Sequence, residues 1–291
     1  RYSFESAQTQ QRWCRGGTGL GQGSAVVRLA VQFLAFLATA YIAVLLILAL
    51  GQRQFLYPAP QGEGRDVPGF SEVVYDTADG LQLMAGYRPA ADGKPTIVYF
   101  HGNGADWQSS VVATDRLTPA GYGVFAAEYR GYRGNPGSPS EEGLYADGRA
   151  VLDWLEIRGV AQDDIVLIGN SIGSGVATQL ATEISPRALI LISPFASLPQ
   201  VAGEKLWWLP ARMLVRDIYD NEAKVPDVAA PILLLHGDKD TLIPAHHSEQ
   251  LVAANPASEL VIFAGAGHDL AWQDDAEETV LQFLEGLDAK D

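Results

Sequence analysis

The sequence predicts an α/β protein: a mostly parallel sheet of eight strands with helices on both faces, preceded by one apolar helix. Three observations predict it. Short apolar runs recur at 96–100, 123–128, 165–168, 188–192, 232–235 and 260–263, too short for helices and as continuously apolar as strands buried on both faces. Stretches of helical length separate most of them, and strands alternating with helices make a parallel sheet. Residues 29–50 contain no charge at all.

Length and composition agree with a large core. The chain has 291 residues, 47% hydrophobic and 19% charged, which describes a globular protein. The net charge of −15 is unevenly spread. Residues 1–50 hold four Arg against one Glu, net +3, and the remainder holds 16 basic against 34 acidic residues, net −18. So acidic a surface repels phosphate backbones, which excludes nucleic acid as a partner. The single cysteine, Cys14, allows no disulfide framework and no thiolate metal site.

Residues 1–25 are rich in Gln and Gly without apolar periodicity, and this stretch reads as disordered. Residues 26–51 read as a transmembrane anchor. Between Leu29 and Leu50 only Gln32, Thr39 and Tyr41 interrupt the apolar run, and a helix of that length spans roughly 33 Å, enough for a bilayer's hydrocarbon. A buried core helix is seldom so uniformly apolar. A signal peptide competes, because Ala49-Leu50-Gly51 is a passable small-x-small site, although the apolar core exceeds the usual length. Arg1, Arg12, Arg15 and Arg28 precede the span while Arg53 and Arg65 follow it. That bias places the N-terminus in the cytoplasm and the remainder on the periplasmic side.

Residues 52–70 read as a linker with Pro58, Pro60 and Pro68, and residues 71–291 as the folded domain. Runs 71–76 and 81–87 flank Asp79-Gly80 and predict an antiparallel hairpin. A helix is expected from Ser140, an N-cap followed by Glu141 and Glu142 at the positive end of the helix dipole. Leu144, Val151, Trp154 and Leu155 fall on its one apolar face, and Gly159 suits its stop.

Chemistry concentrates at strand ends. Ser171 lies in Gly169-Asn170-Ser171-Ile172-Gly173, after the run 164–168 and before Ser174, Gly175 and Ala177. A strand, a tight turn and a helix of small residues are what a strained nucleophilic serine requires. Chance alone supplies such a five-residue pattern roughly 0.16 times in a chain of this composition, so its place after a strand carries the argument. A serine hydroxyl needs a base. Of the five histidines, His268 in Gly265-Ala266-Gly267-His268-Asp269 follows the last strand and is the candidate. His101 and His236 end strands as His-Gly and organise loops, while His246 and His247 are adjacent and lack the i, i+4 spacing of a metal pair. No metal or cofactor is expected.

The acid that orients the imidazole comes from Leu235-His236-Gly237-Asp238-Lys239-Asp240. Asp240, at the end of the turn, is preferred over Asp238, which reads as a turn or cap acid. Phe100-His101-Gly102-Asn103-Gly104 follows the third strand. The backbone N–H groups of Asn103 and Ile172 are therefore candidates for an oxyanion hole.

With these residues assembled, the chain from about residue 70 onward resembles an α/β-hydrolase, most closely the membrane-anchored "alpha/beta hydrolase domain-containing" branch. The likeness rests on Tyr99-Phe100-His101-Gly102-Asn103-Gly104, Glu128-Tyr129-Arg130-Gly131-Tyr132, Pro139-Ser140-Glu141-Glu142-Gly143-Leu144-Tyr145-Ala146-Asp147, the Ser171 turn, Ser193-Pro194-Phe195-Ala196-Ser197 and His236-Gly237-Asp238-Lys239-Asp240. It implies the second Asp of the last motif, Asp240, as the acid. Phe55-Leu56-Tyr57-Pro58 resembles the run that ends the membrane or signal-like segment of such proteins. Relatives often carry Tyr-Gly where this chain has Tyr132-Arg133, a departure confined to one loop.

The insertion at 193–231 is where that fold places a lid, here small, with Trp207, Trp208, Met213, Leu214 and Val215. The expected activity is hydrolysis of a carboxylic ester or thioester, of a small molecule or a lipid, through an acyl-enzyme on Ser171. A peptidase or amidase of the same fold is the alternative, because specificity lives in the lid. A non-catalytic, membrane-tethered binding domain is the rival from another class, and intact candidates at all three positions weigh against it.

Overall fold

The structure is a computed structural model and describes residues 19–60 and 66–289. Cys14 and most of the segment expected to be disordered lie outside them. The chain divides into two compact units, one ending at Gly51 and one beginning at Gln52.

Among its described residues the first unit is one helix, and that helix, α1 (Gly19–Leu56), continues past Gly51. It is longer than the apolar run on both sides: it starts inside the stretch read as disordered and ends inside the stretch read as linker. After Arg28 no charge or proline occurs until Arg53 and Pro58, so nothing stops the helix earlier. Residues 25–56 are apolar enough to cross a membrane and none of that window is buried. Phe33, Phe36 and Ile47 stand exposed, so this helix is a candidate membrane span.

The second unit is built on an eight-stranded sheet, β1 (Ser71–Asp76), β2 (Gln82–Arg88), β3 (Thr96–Phe100), β4 (Gly123–Ala126), β5 (Ile165–Asn170), β6 (Ala188–Ile192), β7 (Ile232–Gly237) and β8 (Glu259–Phe263). The order across it is β1-β2-β4-β3-β5-β6-β7-β8. β1 pairs antiparallel with β2, and β2 antiparallel with β4. All pairs from β4 to β8 are parallel. The expected hairpin and six parallel strands are therefore present. Every residue of β3 to β7 is buried, as continuous apolar runs covered on both faces must be. The edge strands β1 and β8 are partly exposed.

Two hydrophobic cores lie on the two faces. One joins Val98, Phe100, Leu167 and Leu189 to α3 (Glu141–Glu156) and α4 (Gly173–Glu183). The other joins Ile97, Ile168 and Leu235 to α2 (Trp107–Val112) and α9 (Asp274–Asp288). α3 begins as its sequence predicts: Ser140 Oγ accepts from the Gly143 N–H at 3.1 Å, Leu144, Val151, Trp154 and Leu155 are buried, and Gly159 takes φ +82° just past the end. The insertion after β6 holds α5 (Leu198–Lys205), α6 (Ala211–Leu214) and α7 (Asn221–Lys224), and α8 (His246–Ala254) precedes β8.

The linker expectation needs correction at its first half. Arg53 pairs with Asp217 at 3.3 Å, and the buried Tyr57 hydroxyl meets that of Tyr219 at 3.0 Å. Residues 52–57 are thus part of the second unit's packing.

Strand order fixes where a site can form. From β3 the chain crosses outward to β4, whereas β5 lies on β3's other side. The loops leaving β3 and β5 therefore diverge, opening a crevice at the carboxyl ends of these neighbours, the place where α/β sheets bind ligands.

Candidate active site

Ser171 follows β5 at that crevice, with φ +52°, a left-handed value that a residue with a Cβ seldom adopts. Close backbone approach explains the glycines flanking it. A methyl group on Gly169 would stand 2.4 Å from the Gly173 carbonyl oxygen, and one on Gly173 would stand 2.1 Å from that of Phe100. A methyl on Gly175 would enter the Tyr219 ring at 2.3 Å. The small residues after Ser171 let α4 start directly against the sheet. Ser171 N–H donates to the Ile192 carbonyl at 2.9 Å and Ser174 N–H to the Ser171 carbonyl at 3.0 Å, so the turn is held from both sides.

Loops after two other strands bring the expected partners. His268 Nε2 lies 2.9 Å from Ser171 Oγ, and His268 Nδ1 lies 2.6 Å from Asp240 Oδ2. Asp240 Oδ1 accepts from the Leu242 and Ile243 N–H groups, each at 2.8 Å. Burial alone would raise the Asp240 carboxyl. Hydrogen bonds from His236, His268 and the Ile243 N–H outweigh it and hold the group well below the usual carboxylate range. An ionised Asp240 fixes the proton of a neutral His268 on Nδ1 and leaves the Nε2 lone pair facing Ser171. Asp238 has another place: its Oδ1 accepts from the Gly265 N–H, bracing the two loops that carry Asp240 and His268.

The third wall is the loop after β3. A methyl on Gly102 would stand 3.3 Å from Ser171 Cβ, so this loop lies against the nucleophile's turn. Among the described residues no acceptor takes the backbone N–H of Asn103 or Ile172. His101 is buried behind them. Its Nε2 lies 2.9 Å from Glu128 Oε1 and its Nδ1 2.9 Å from the Gly102 carbonyl. Glu128 also accepts from the N–H groups of Trp107 and Tyr129. His101 thus organises its loop, as does His236, which sits between Ser248 Oγ at 2.6 Å and the Ile243 carbonyl at 2.8 Å.

A sequence model of the alpha/beta hydrolase family matches residues 97–222, from β3 through the Ser171 turn into the insertion after β6. The uncharacterized protein Rv2307c of Mycobacterium tuberculosis is 36% identical over 82% of this chain and 88% of its own length. The chain belongs to the alpha/beta hydrolase family. Lysophosphatidylserine lipase ABHD12 of Xenopus tropicalis is 30% identical over 65% of this hydrolase, which spans 54% of that relative. Among solved structures, an esterase of Pyrococcus furiosus superposes with a TM-score of 0.65 at 20% identity, covering 79% of this chain and 97% of that one. A bacterial membrane phospholipase A superposes at 0.59 and 21% identity, covering 91% and 99%.

Other residues of this hydrolase could be found only in three dimensions. Glu204, His246 and His247 bring three metal-ligating groups within 4.8 Å of one another, a cluster that needs Glu204 from α5. The Ala196 N–H donates to His247 Nδ1 at 3.2 Å, so a neutral ring keeps its proton on Nε2, 3.3 Å from Glu204. A metal would have to displace that proton, and the cluster instead ties α5 to α8. Arg133, the departure from the usual Tyr-Gly, takes φ +43°, the conformation glycine adopts freely. It is held there by an ion pair with Asp106 and by its N–H on the Pro60 carbonyl.

Proposed function

We propose that this alpha/beta hydrolase cleaves carboxylic esters through an acyl-enzyme on Ser171. The carrying observation is the unbroken chain Ser171 Oγ, His268 Nε2, His268 Nδ1, Asp240 Oδ2, with links of 2.9 and 2.6 Å. Ser171 Oγ attacks the ester carbonyl carbon while His268 Nε2 takes its proton. The carbonyl oxygen, now an oxyanion, accepts from the Asn103 and Ile172 N–H groups. The C–O bond to the alcohol breaks, and His268 returns the proton to that alcohol. Water repeats the sequence on the acyl-enzyme and frees the acid. Asp240 stays ionised and stabilises the imidazolium that forms twice.

Lipid acyl esters are the substrate class we favour. The support is a candidate membrane span in the same chain as an insertion after β6 that carries exposed apolar residues, with lipid-named relatives as the family context. We further propose that 26–51 is a single-pass anchor, with the catalytic unit on the periplasmic side, on the excess of arginine before the span.

A fluorophosphonate probe on the full chain in detergent tests the mechanism. Wild type becomes labelled and Ser171→Ala does not; equal labelling of both sinks the reading. A ladder of nitrophenyl esters then separates lipid-length from short-chain preference. A reporter fused after Asp291 is reached from outside the cytoplasmic membrane if the orientation is right and is protected if it is reversed.

A further inference from the structure

We propose that the tip of the lid, residues 205–216, is a second membrane-contacting element that seats among the headgroups of an anionic bilayer. Three independent observations carry this.

The tip has two faces. Leu209 and Ala211 are buried against the unit, at 7% and 4% exposure, while Trp207, Trp208 and Met213 are 82%, 52% and 87% exposed. Large side chains presented outward within seven residues are not serving the core, and soluble surfaces seldom gather them. Tryptophan favours the level of the headgroups, where its ring is half in apolar and half in polar surroundings.

The tip is basic in an acidic molecule. Lys205, Arg212 and Arg216 are exposed, and no Asp or Glu lies between 205 and 216, although the chain after residue 50 has net charge −18. The neighbouring acids face elsewhere: Glu204 is 3.2 and 3.3 Å from His246 and His247, and Asp217 is buried on Arg53. Cations flanking exposed aromatics complement an anionic lipid surface.

The tip is also tied to the chain where the apolar run ends. Gln52 Nε2 donates to the Leu214 carbonyl at 3.0 Å, and Gln52 Oε1 accepts from the Arg216 N–H at 2.8 Å. Only Gly51 separates Gln52 from Leu50, the last residue of that run. Lys205 Nζ donates to the Thr241 carbonyl, next to Asp240, so a tip held by lipid bears directly on the loop that carries the acid.

The test uses the full chain with Cys14→Ser and Met213→Cys, labelled at Cys with a nitrobenzoxadiazole and reconstituted in phosphatidylcholine–phosphatidylglycerol vesicles. Ile157→Cys is the reference: it is 82% exposed just past the end of α3, whose C-terminus lies at the opposite edge of the sheet. Brominated lipid should quench roughly half of the Met213 emission, as an interfacial site requires, and leave Ile157 unchanged. Replacing Lys205, Arg212 and Arg216 by Gln should weaken that immersion by roughly tenfold or more with phosphatidylglycerol and hardly at all with phosphatidylcholine alone. Equal quenching at the two sites overturns the proposal. So does an emission change that follows protein density and ignores the bromines, which would assign the face to a second copy. The label reads immersion and not turnover, so failure of the acyl-enzyme reading would leave this result standing.

Discussion

Holding Ser171 at φ +52° costs about 1–3 kcal/mol, and packing on every side keeps the turn from relaxing. The Phe100 carbonyl, 2.1 Å from a methyl placed on Gly173, is backbone and cannot swing away. Gly173→Ala should therefore destabilise the protein by about 1–3 kcal/mol, the range of overpacked cores, and should lower activity through Ser171. A melting midpoint equal to wild type would refute this. Asp240 offers a cleaner separation. Asp240→Asn keeps the shape but no longer stabilises the imidazolium, so kcat should fall by roughly 10³–10⁴. Asp238→Asn, whose carboxylate meets the Gly265 N–H and the Lys239 ammonium and not His268, should keep kcat within about a factor of ten. Because Asp240 titrates well below the usual carboxylate range, the acid limb of the rate profile belongs to another group. An acid limb of the wild-type rate profile lying in the carboxylate range would contradict that assignment.

At the scale of elements, Arg130 clasps the start of the sheet to α3. Its guanidinium meets Asp79 at 2.7 Å in the β1–β2 turn and Asp147 at 2.8 Å in α3, and its N–H reaches Asp147 Oδ2 at 2.9 Å. The two carboxyls shift in opposite directions. Hydrogen bonds from Arg130 and Thr77 lower Asp79 to about 2, so its contribution is present above its unfolded value near 4 and is lost as the pH falls towards 2. Burial raises Asp147 to about 6 against the pull of Arg130, so its ionised form is the less favoured one inside the fold and neutral pH relies on the guanidinium. Arg130→Met should cost about 3–5 kcal/mol at pH 8, where Asp147 is left buried and charged. The loss should shrink at pH 5, where Asp147 takes up a proton. Thermal unfolding of both proteins at the two pH values measures it, and a loss that grows on acidification would exclude the clasp as described. This clasp was not legible beforehand. Asp79, Arg130 and Asp147 are separated by 51 and 17 residues and only the fold brings them together. The Ser171 turn was legible because its signal is local: a strand, five residues and a run of small ones. Asp240 and His268 were legible for a related reason, since parallel strands deliver their carboxyl ends to one edge. Glu128 stood inside a quoted motif, yet its role depends on His101 arriving from the neighbouring strand's end. The strand ends themselves were placed within about two residues, the scatter expected where hydrogen bonding and apolar pattern stop at different points.

For the whole molecule, the boundary at issue is where the folded α/β unit begins. Sequence placed that boundary at residue 71, because prolines and glycines from 58 onward forbid regular structure. Packing places it at Gln52. Arg53 supplies the guanidinium for the buried Asp217, and Tyr57, 4% exposed, fills the space beside Tyr219. That ring in turn closes over Gly175, one turn from Ser171. Two truncations should then behave differently. A chain beginning at Gln52 keeps all of these contacts, and should melt near the full-length temperature and turn over soluble short-chain esters at the full-length rate. A chain beginning at Asp66 leaves Asp217 without its cation and a cavity where Tyr57 stood, a loss of about 3–5 kcal/mol. For a unit of this size that lowers the midpoint by roughly 6–20 °C. Turnover should fall with it, because Tyr219 is then free to relax away from α4. Differential scanning calorimetry of the two fragments decides the matter. Equal midpoints would return residues 52–60 to the role of a plain linker and would leave the contacts of Arg53 and Tyr57 without energetic consequence.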